Sequence, residues 1–201
     1  MPPNDLPIVE FPDRSAWERW LEVHHESSAG VWLKIAKKGS GATTLTYAEA
    51  LEHALCYGWI DGQKGPSDRI FWLQRFVPRG PRSKWSQVNR RKATELIEQG
   101  RMRPAGIEQV EAAKRDGRWE AAYAPQSTVT VPEDFQAALD ANPTANEFFA
   151  TLKRSERYSF LYRIHDAKRP ETRALRVNEY VAMLSEGKTI HGRPGDGSRS
   201  R

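Results

Sequence analysis

The chain has 201 residues, 38% of them hydrophobic and 28% charged, with a net charge of +5 and a pI near 9.4. That length carries one substantial core, or a medium domain plus a small one, and seven Trp, seven Phe and six Tyr supply burial area that a disordered chain lacks. No run approaches the ~18 apolar residues of a membrane span, the N-terminus has no secretory pattern, and the lone Cys56 excludes an intramolecular disulfide, so a cytoplasmic protein is expected.

In chain order, Asp13 caps a helix to about Glu26, with Trp17, Trp20, Leu21 and His24 at helical spacing on one face. Gly30 stops it, and Val31 to Ala36 reads as a strand. Lys37-Lys38-Gly39-Ser40-Gly41 is a basic turn of hairpin character, lacking the Gly-Lys-Ser/Thr that a phosphate loop requires. Thr46 and Glu49 form a capping box for a helix to about Tyr57, ended by Gly58. Trp59 to Lys64 is a short extended piece, Gly65 to Asp68 a turn, and Ile70 to Phe76 a second strand. In that strand Ile70, Trp72, Gln74 and Phe76 face one way, and Phe71, Leu73 and Arg75 the other. Pro78 and Pro81 keep the following loop irregular. Ser83 or Ser86 then caps a helix ending at Gly100, and Pro104 opens another to about Asp116.

Every tryptophan lies at or before residue 119, and Ala124 to Pro132 reads as a linker. Beyond it only helices are expected: Pro132 to Asp140, Thr144 to Leu152, Ser155 to Lys168, and Pro170 to Ser185, the last with an apolar stripe of Ala174, Val177, Val181 and Leu184. The expected fold class is α+β: a small antiparallel sheet flanked by helices over residues 1–124, an all-α unit over 125–190, and a disordered tail over 191–201.

Positive charge is concentrated in the middle of the chain. From Arg69 to Arg103 there are ten basic residues (Arg69, Arg75, Arg79, Arg82, Lys84, Arg90, Arg91, Lys92, Arg101, Arg103) against two acids, Glu95 and Glu98. Guanidinium forks there suit phosphate or carboxylate oxygens, and the start of the following helix adds free N–H groups. Trp59, Trp72 and Trp85 read either as stacking faces for a base or as plain core. Ligand-binding candidates are Trp59, Lys64, Trp72, Arg75, Arg79, Arg82, Ser83, Trp85, Ser86 and Asn89.

Asp61 is the one candidate acid or base, and equally a turn residue bonding its own backbone. Glu49 and His53 can pair one turn apart, Cys56 reads as a buried packer, and the five histidines show no metal spacing. No cofactor motif is present, and no nucleophile elbow supports hydrolase chemistry. A second basic run, Arg163, Lys168, Arg169, Arg173 and Arg176, either extends an anion surface or keeps the helical unit soluble.

Several ordered pieces resemble the YdeI/OmpD-associated, or bacteriocin-protection, family across about residues 14–191. They include Gly30-Val31-Trp32-Leu33, Tyr47-Ala48-Glu49-Ala50-Leu51, Gly58-Trp59-Ile60-Asp61-Gly62, Trp72-Leu73-Gln74-Arg75-Phe76 and Arg82-Ser83-Lys84-Trp85-Ser86 with Asn89. Arg118 to Tyr123, Pro170-Glu171-Thr172-Arg173, and Met183-Leu184 with Gly187 complete the set. The resemblance implies a role in tolerance of bacteriocins or cationic antimicrobial peptides, with the named family domain in the helical C-terminal part. The expected function is a non-catalytic binding module for an anionic ligand, either nucleic acid or a small molecule bearing phosphate or carboxylate. The alternative is a small-molecule enzyme using Asp61 beside an arginine-lined pocket, and a third reading is protection by partner binding at the C-terminal unit.

Overall fold

The computed structural model describes residues 6–192, and its chain divides into two compact units, Met1–Ala122 and Tyr123–Arg201. Most of the expected tail, residues 193–201, lies outside the described residues.

The first unit builds a four-stranded sheet from β1 (Ile8–Val9), β2 (Val31–Ala36), β3 (Trp59–Ser67) and β4 (Phe71–Pro78), in the order β1-β2-β4-β3. Four helices accompany it: α1 (Arg14–His24), α2 (Tyr47–Cys56), α3 (Gln87–Glu98) and α4 (Pro104–Arg115). β2 and β3 both run antiparallel to β4, whereas β1 runs parallel to β2, so the sheet is mixed where an antiparallel one was expected. β1 escaped the sequence reading because two residues carry no measurable alternation. The basic turn at Gly39 and Gly41 links β2 to α2 and closes no hairpin.

Caps fix the helix starts as their sequences dictate. Asp13 accepts from the Ala16 amide at 2.8 Å, Thr46 and Glu49 close a capping box, and Ser86, not Ser83, caps α3 through the Asn89 amide at 3.1 Å. Val31, Leu33 and Ile35 join Phe76, Trp17, Leu21, Leu51, Leu55 and Trp59 in one core. Trp32 and Leu73 occupy the other face of the sheet, where Gly65 of β3 closes over them; a Cβ at Gly65 would stand 2.7 Å from the Trp32 ring.

β3 is longer than expected and runs through the Gly65-Pro66 pair read as a turn. It is an edge strand, where a proline costs no ladder bond, and its register slips between Asp61 and Lys64 and again before Ser67. The buried Gln74 amide answers those slips by donating to Gly62 O at 2.7 Å. β4 likewise runs on to Pro78, paired with Trp59, where the missing N–H ends the ladder.

The second unit holds α5 (Glu133–Asp140), α6 (Pro143–Thr151), α7 (Arg154–His165) and α8 (Pro170–Ser185), around Phe135, Leu139, Phe149, Phe160, Ile164 and Leu184. In α8 the buried stripe is Val177, Tyr180 and Leu184, with Val181 packed alongside; Ala174, expected on it, is exposed.

Candidate functional site

The sequence-derived site residues fall into three places. At the far end of the β3–β4 pair, Tyr47, Asp61, Lys64 and Trp72 meet on the helix-packed face. The Tyr47 hydroxyl donates to Asp61 Oδ2 at 2.8 Å, Tyr47 packs on Trp72 at 6.0 Å, and Lys64 Nζ lies 4.8 Å from the Trp72 ring. Arg75 occupies the opposite face, paired across the ladder with Trp32 and donating to Gln63 Oε1 at 3.4 Å. Pleating therefore separates Asp61 from Arg75, and the arginine-lined pocket expected around that carboxylate is not formed by this pair. Arg75 Nε and Trp32 Nε1 are both buried donors without an acceptor.

The third place is the loop from β4 to α3. Arg79, 6% exposed, lays its guanidinium 3.5 Å over the Trp85 ring, and its Nη1 donates to Lys84 O at 3.3 Å. The Gly80 amide donates to Ser83 Oγ at 3.0 Å, Arg118 Nη1 donates to Ser83 O at 2.9 Å, and Trp85 packs edge-on against Trp119 at 4.8 Å. The Arg79 amide donates to Gly58 O at 3.0 Å, tying the loop to the end of α2. Arg82 stands exposed at its tip and forms no ion pair among the described residues. These cross-ties fix the loop backbone and the Arg79 guanidinium, while the Arg82 side chain extends from it into solvent. The stretch from Trp72 to Arg79 spans about 23 Å at ~3.3 Å per residue, so the loop and the Lys64–Trp72 cluster are separate sites for any small ligand.

Two of the three tryptophan platforms are corrected to core. Trp59 and Trp85 are each 1% exposed, and the Trp59 indole donates to His25 O at 3.0 Å. Trp85 Nε1 is buried with no acceptor. Only Trp72 keeps a partly open face. Ser86 and the buried Asn89 serve the start of α3, where they close the cap.

Carboxylates from α1, α2 and α3 itself neutralise much of the remaining positive charge. Lys92 and Arg101 both pair with Glu52, the former at 3.9 Å, Arg103 pairs with Glu18 at 3.2 Å, and Arg91 with Glu95 at 3.7 Å. Arg90 instead donates to Trp119 O at 3.0 Å. Arg79, Arg82 and Lys84 lie in a segment, residues 69–94, whose sequence contains no acid, and Arg118, which holds the loop at Ser83 O, is itself paired with Asp116 at 2.7 Å.

Sequence reasoning missed a cavity of about 460 Å³ where α1, α2 and α4 end or begin, walled by Glu22, His25, Glu26, Tyr57, Arg103 and Glu108. Burial pushes the Tyr57 phenol up, and its hydroxyl lies toward Arg103 without closing a hydrogen bond of good geometry. Cys56 next to it is a packer: burial pushes its thiol up to about 11. Among the described residues no group of His, Cys, Asp or Glu could hold a metal ion, and no helix is long and apolar enough to cross a membrane.

Residues 9–109 match the model of a domain of unknown function, DUF8412, and residues 128–187 match the family described as bacteriocin-protection, YdeI or OmpD-associated. The chain therefore belongs to the DUF8412 family through its first unit, and its second unit is a bacteriocin-protection, YdeI or OmpD-associated domain, as the sequence resemblance implied. No curated protein and no solved structure matches it.

Proposed function

We propose that the first unit is a non-catalytic binding module, acting in the cytoplasm, that takes an anionic ligand at the loop between β4 and α3. The observation that carries this reading is a rigid loop bearing Arg79, Arg82 and Lys84 inside an acid-free segment, cross-tied by Arg118 and Trp85. Arg82 supplies an exposed fork and Arg79 a sheltered positive field, in surroundings where charge-assisted bonds strengthen. The orphaned Trp85 N–H adds a donor whose desolvation cost an anionic oxygen would offset. A nucleic-acid strand or a phosphate- or carboxylate-bearing small molecule fits this chemistry. Any part in bacteriocin tolerance is then indirect, because a cationic peptide is repelled by such a face.

The test is a titration of the full chain with single-stranded oligonucleotides, nucleotides and phosphate, followed by tryptophan emission at two salt concentrations. Binding should weaken with salt, and Arg82→Ala should reduce the affinity several-fold and the salt slope by about one contact's worth, roughly 0.7 for a single strand. Absent binding, or binding indifferent to both salt and Arg82→Ala, overturns the reading.

A further inference from the structure

The second unit contains a cavity of about 470 Å³ between α7 and α8, walled by Tyr158, Tyr162, Arg163, Asp166, Arg176 and Tyr180. Its size is that of a small-molecule site, which spans roughly 300–1,000 Å³. Helical spacing makes the wall: Tyr158 and Tyr162 on α7 and Asp166 at its C-terminal cap recur every fourth residue, and Arg176 and Tyr180 do so on α8.

The two guanidiniums are unlike the other arginine pairings of this unit. Arg173 forks Asp134 with bonds of 2.6 and 2.8 Å, as a structural arginine does. Arg163 and Arg176 form no ion pair with a carboxylate among the described residues. Each is steadied through one nitrogen only, Arg163 Nη1 donating to Ser159 O at 3.1 Å and Arg176 Nη1 to Arg163 O. Both are half-buried, so the remaining N–H groups are partly desolvated, and Asp166, the one carboxylate on the cavity wall, forms no ion pair with either. The aromatic wall is fixed too. The Tyr158 hydroxyl donates to Ala124 O at 3.0 Å, and Tyr162 packs against Tyr158 at 5.9 Å and edge-on against Tyr123 at 5.2 Å. Burial pushes the Tyr180 phenol up, with Arg163 and Arg176 partly opposing.

We propose that this cavity binds a small planar anion, an aromatic or heteroaromatic ring carrying a carboxylate or phosphate. The ring lies against the phenols, and Arg163 and Arg176 fork its oxygens. This site is independent of the loop in the first unit and stands whether or not that loop binds anions.

Isothermal titration of the full chain at low salt with phenyl phosphate, benzoate and inorganic phosphate tests it. At least one aromatic anion should bind at a single site, about tenfold or more tighter than inorganic phosphate. Arg176→Gln and Arg163→Gln should each weaken it about tenfold, while Arg82→Ala leaves it unchanged. The relative strength of phenyl phosphate and benzoate tells which acid group the fork prefers. Arg163→Gln carries the test if Arg176→Gln does not fold, since Arg163 bonds only a carbonyl of its own helix. No saturable heat from either aromatic anion overturns the proposal. Equal affinity for inorganic phosphate, wild-type binding by folded arginine variants, or loss with Arg82→Ala alone does the same.

Discussion

His53 lies one turn from Glu49 in α2, yet its imidazole meets Glu18 of α1 at 3.7 Å, while Glu49 is taken by the capping box on Thr46. The local pairing suggested by spacing loses to a backbone donor that Glu49 cannot leave unsatisfied without opening the helix. Burial holds the His53 imidazole below its ordinary 6.5, with Glu18 partly opposing. A folded-state value beneath the unfolded one means that the unfolded chain binds the proton more readily. The contribution of neutral His53 is thus complete above 6.5 and is lost as pH falls from there toward the folded-state value. Thermal melts at about pH 7.5 and about pH 5 should show a lower midpoint at the acid end, and His53→Gln should shrink that difference. An identical drop in the variant would assign the pH dependence to other groups. Arg79 was a ligand-binding candidate by sequence, and only the fold shows its guanidinium buried and laid over Trp85.

Among the elements, α4 is positioned by a close approach that the sequence alone conceals. Gly106 sits against the end of α2, and a Cβ there would stand 2.2 Å from Cys56 O and 2.8 Å from Leu55 O. Helix propensity favours alanine over glycine by ~1 kcal/mol, but a backbone carbonyl cannot swing aside as a side chain can. Overpacking of this kind costs about 1–3 kcal/mol, so Gly106→Ala should destabilise the first unit. Urea unfolding gives the sign, and a variant as stable as the wild type would contradict the packing described. α1 and α2 were legible because a side-chain cap, a glycine downstream and apolar periodicity agree in each, and α8 because Pro170 and Gly187 bracket its apolar stripe. β3 was not, because its Gly65-Pro66 pair carries the signature of a turn. It persists as an irregular edge strand through its ladder with β4, and Gln74, a residue of that strand, satisfies Gly62 O where the register slips.

At the scale of the whole molecule, the sequence shows where along the chain positive charge accumulates but not which carboxylates will answer it. Glu18 and Glu52 reach Arg103, Arg101 and Lys92 across intervals of roughly forty to eighty-five residues, and no local pattern announces such pairs. Folding thereby distributes the charge: much of α3 and its C-terminal flank is paired with carboxylates, Asp116 approaches the loop through Arg118, which bonds Ser83 O, and Arg82 stands exposed at the loop's tip. Two family matches divide the chain along residues 9–109 and 128–187. Amide chemical-shift mapping of the isotopically labelled full chain against a single-stranded oligonucleotide tests anion binding at the loop most directly. The largest shifts should fall on the Gly80, Arg82 and Ser83 amides and the Trp85 indole, and fade as salt is raised. Shifts confined to other residues, or none at low salt, would contradict it.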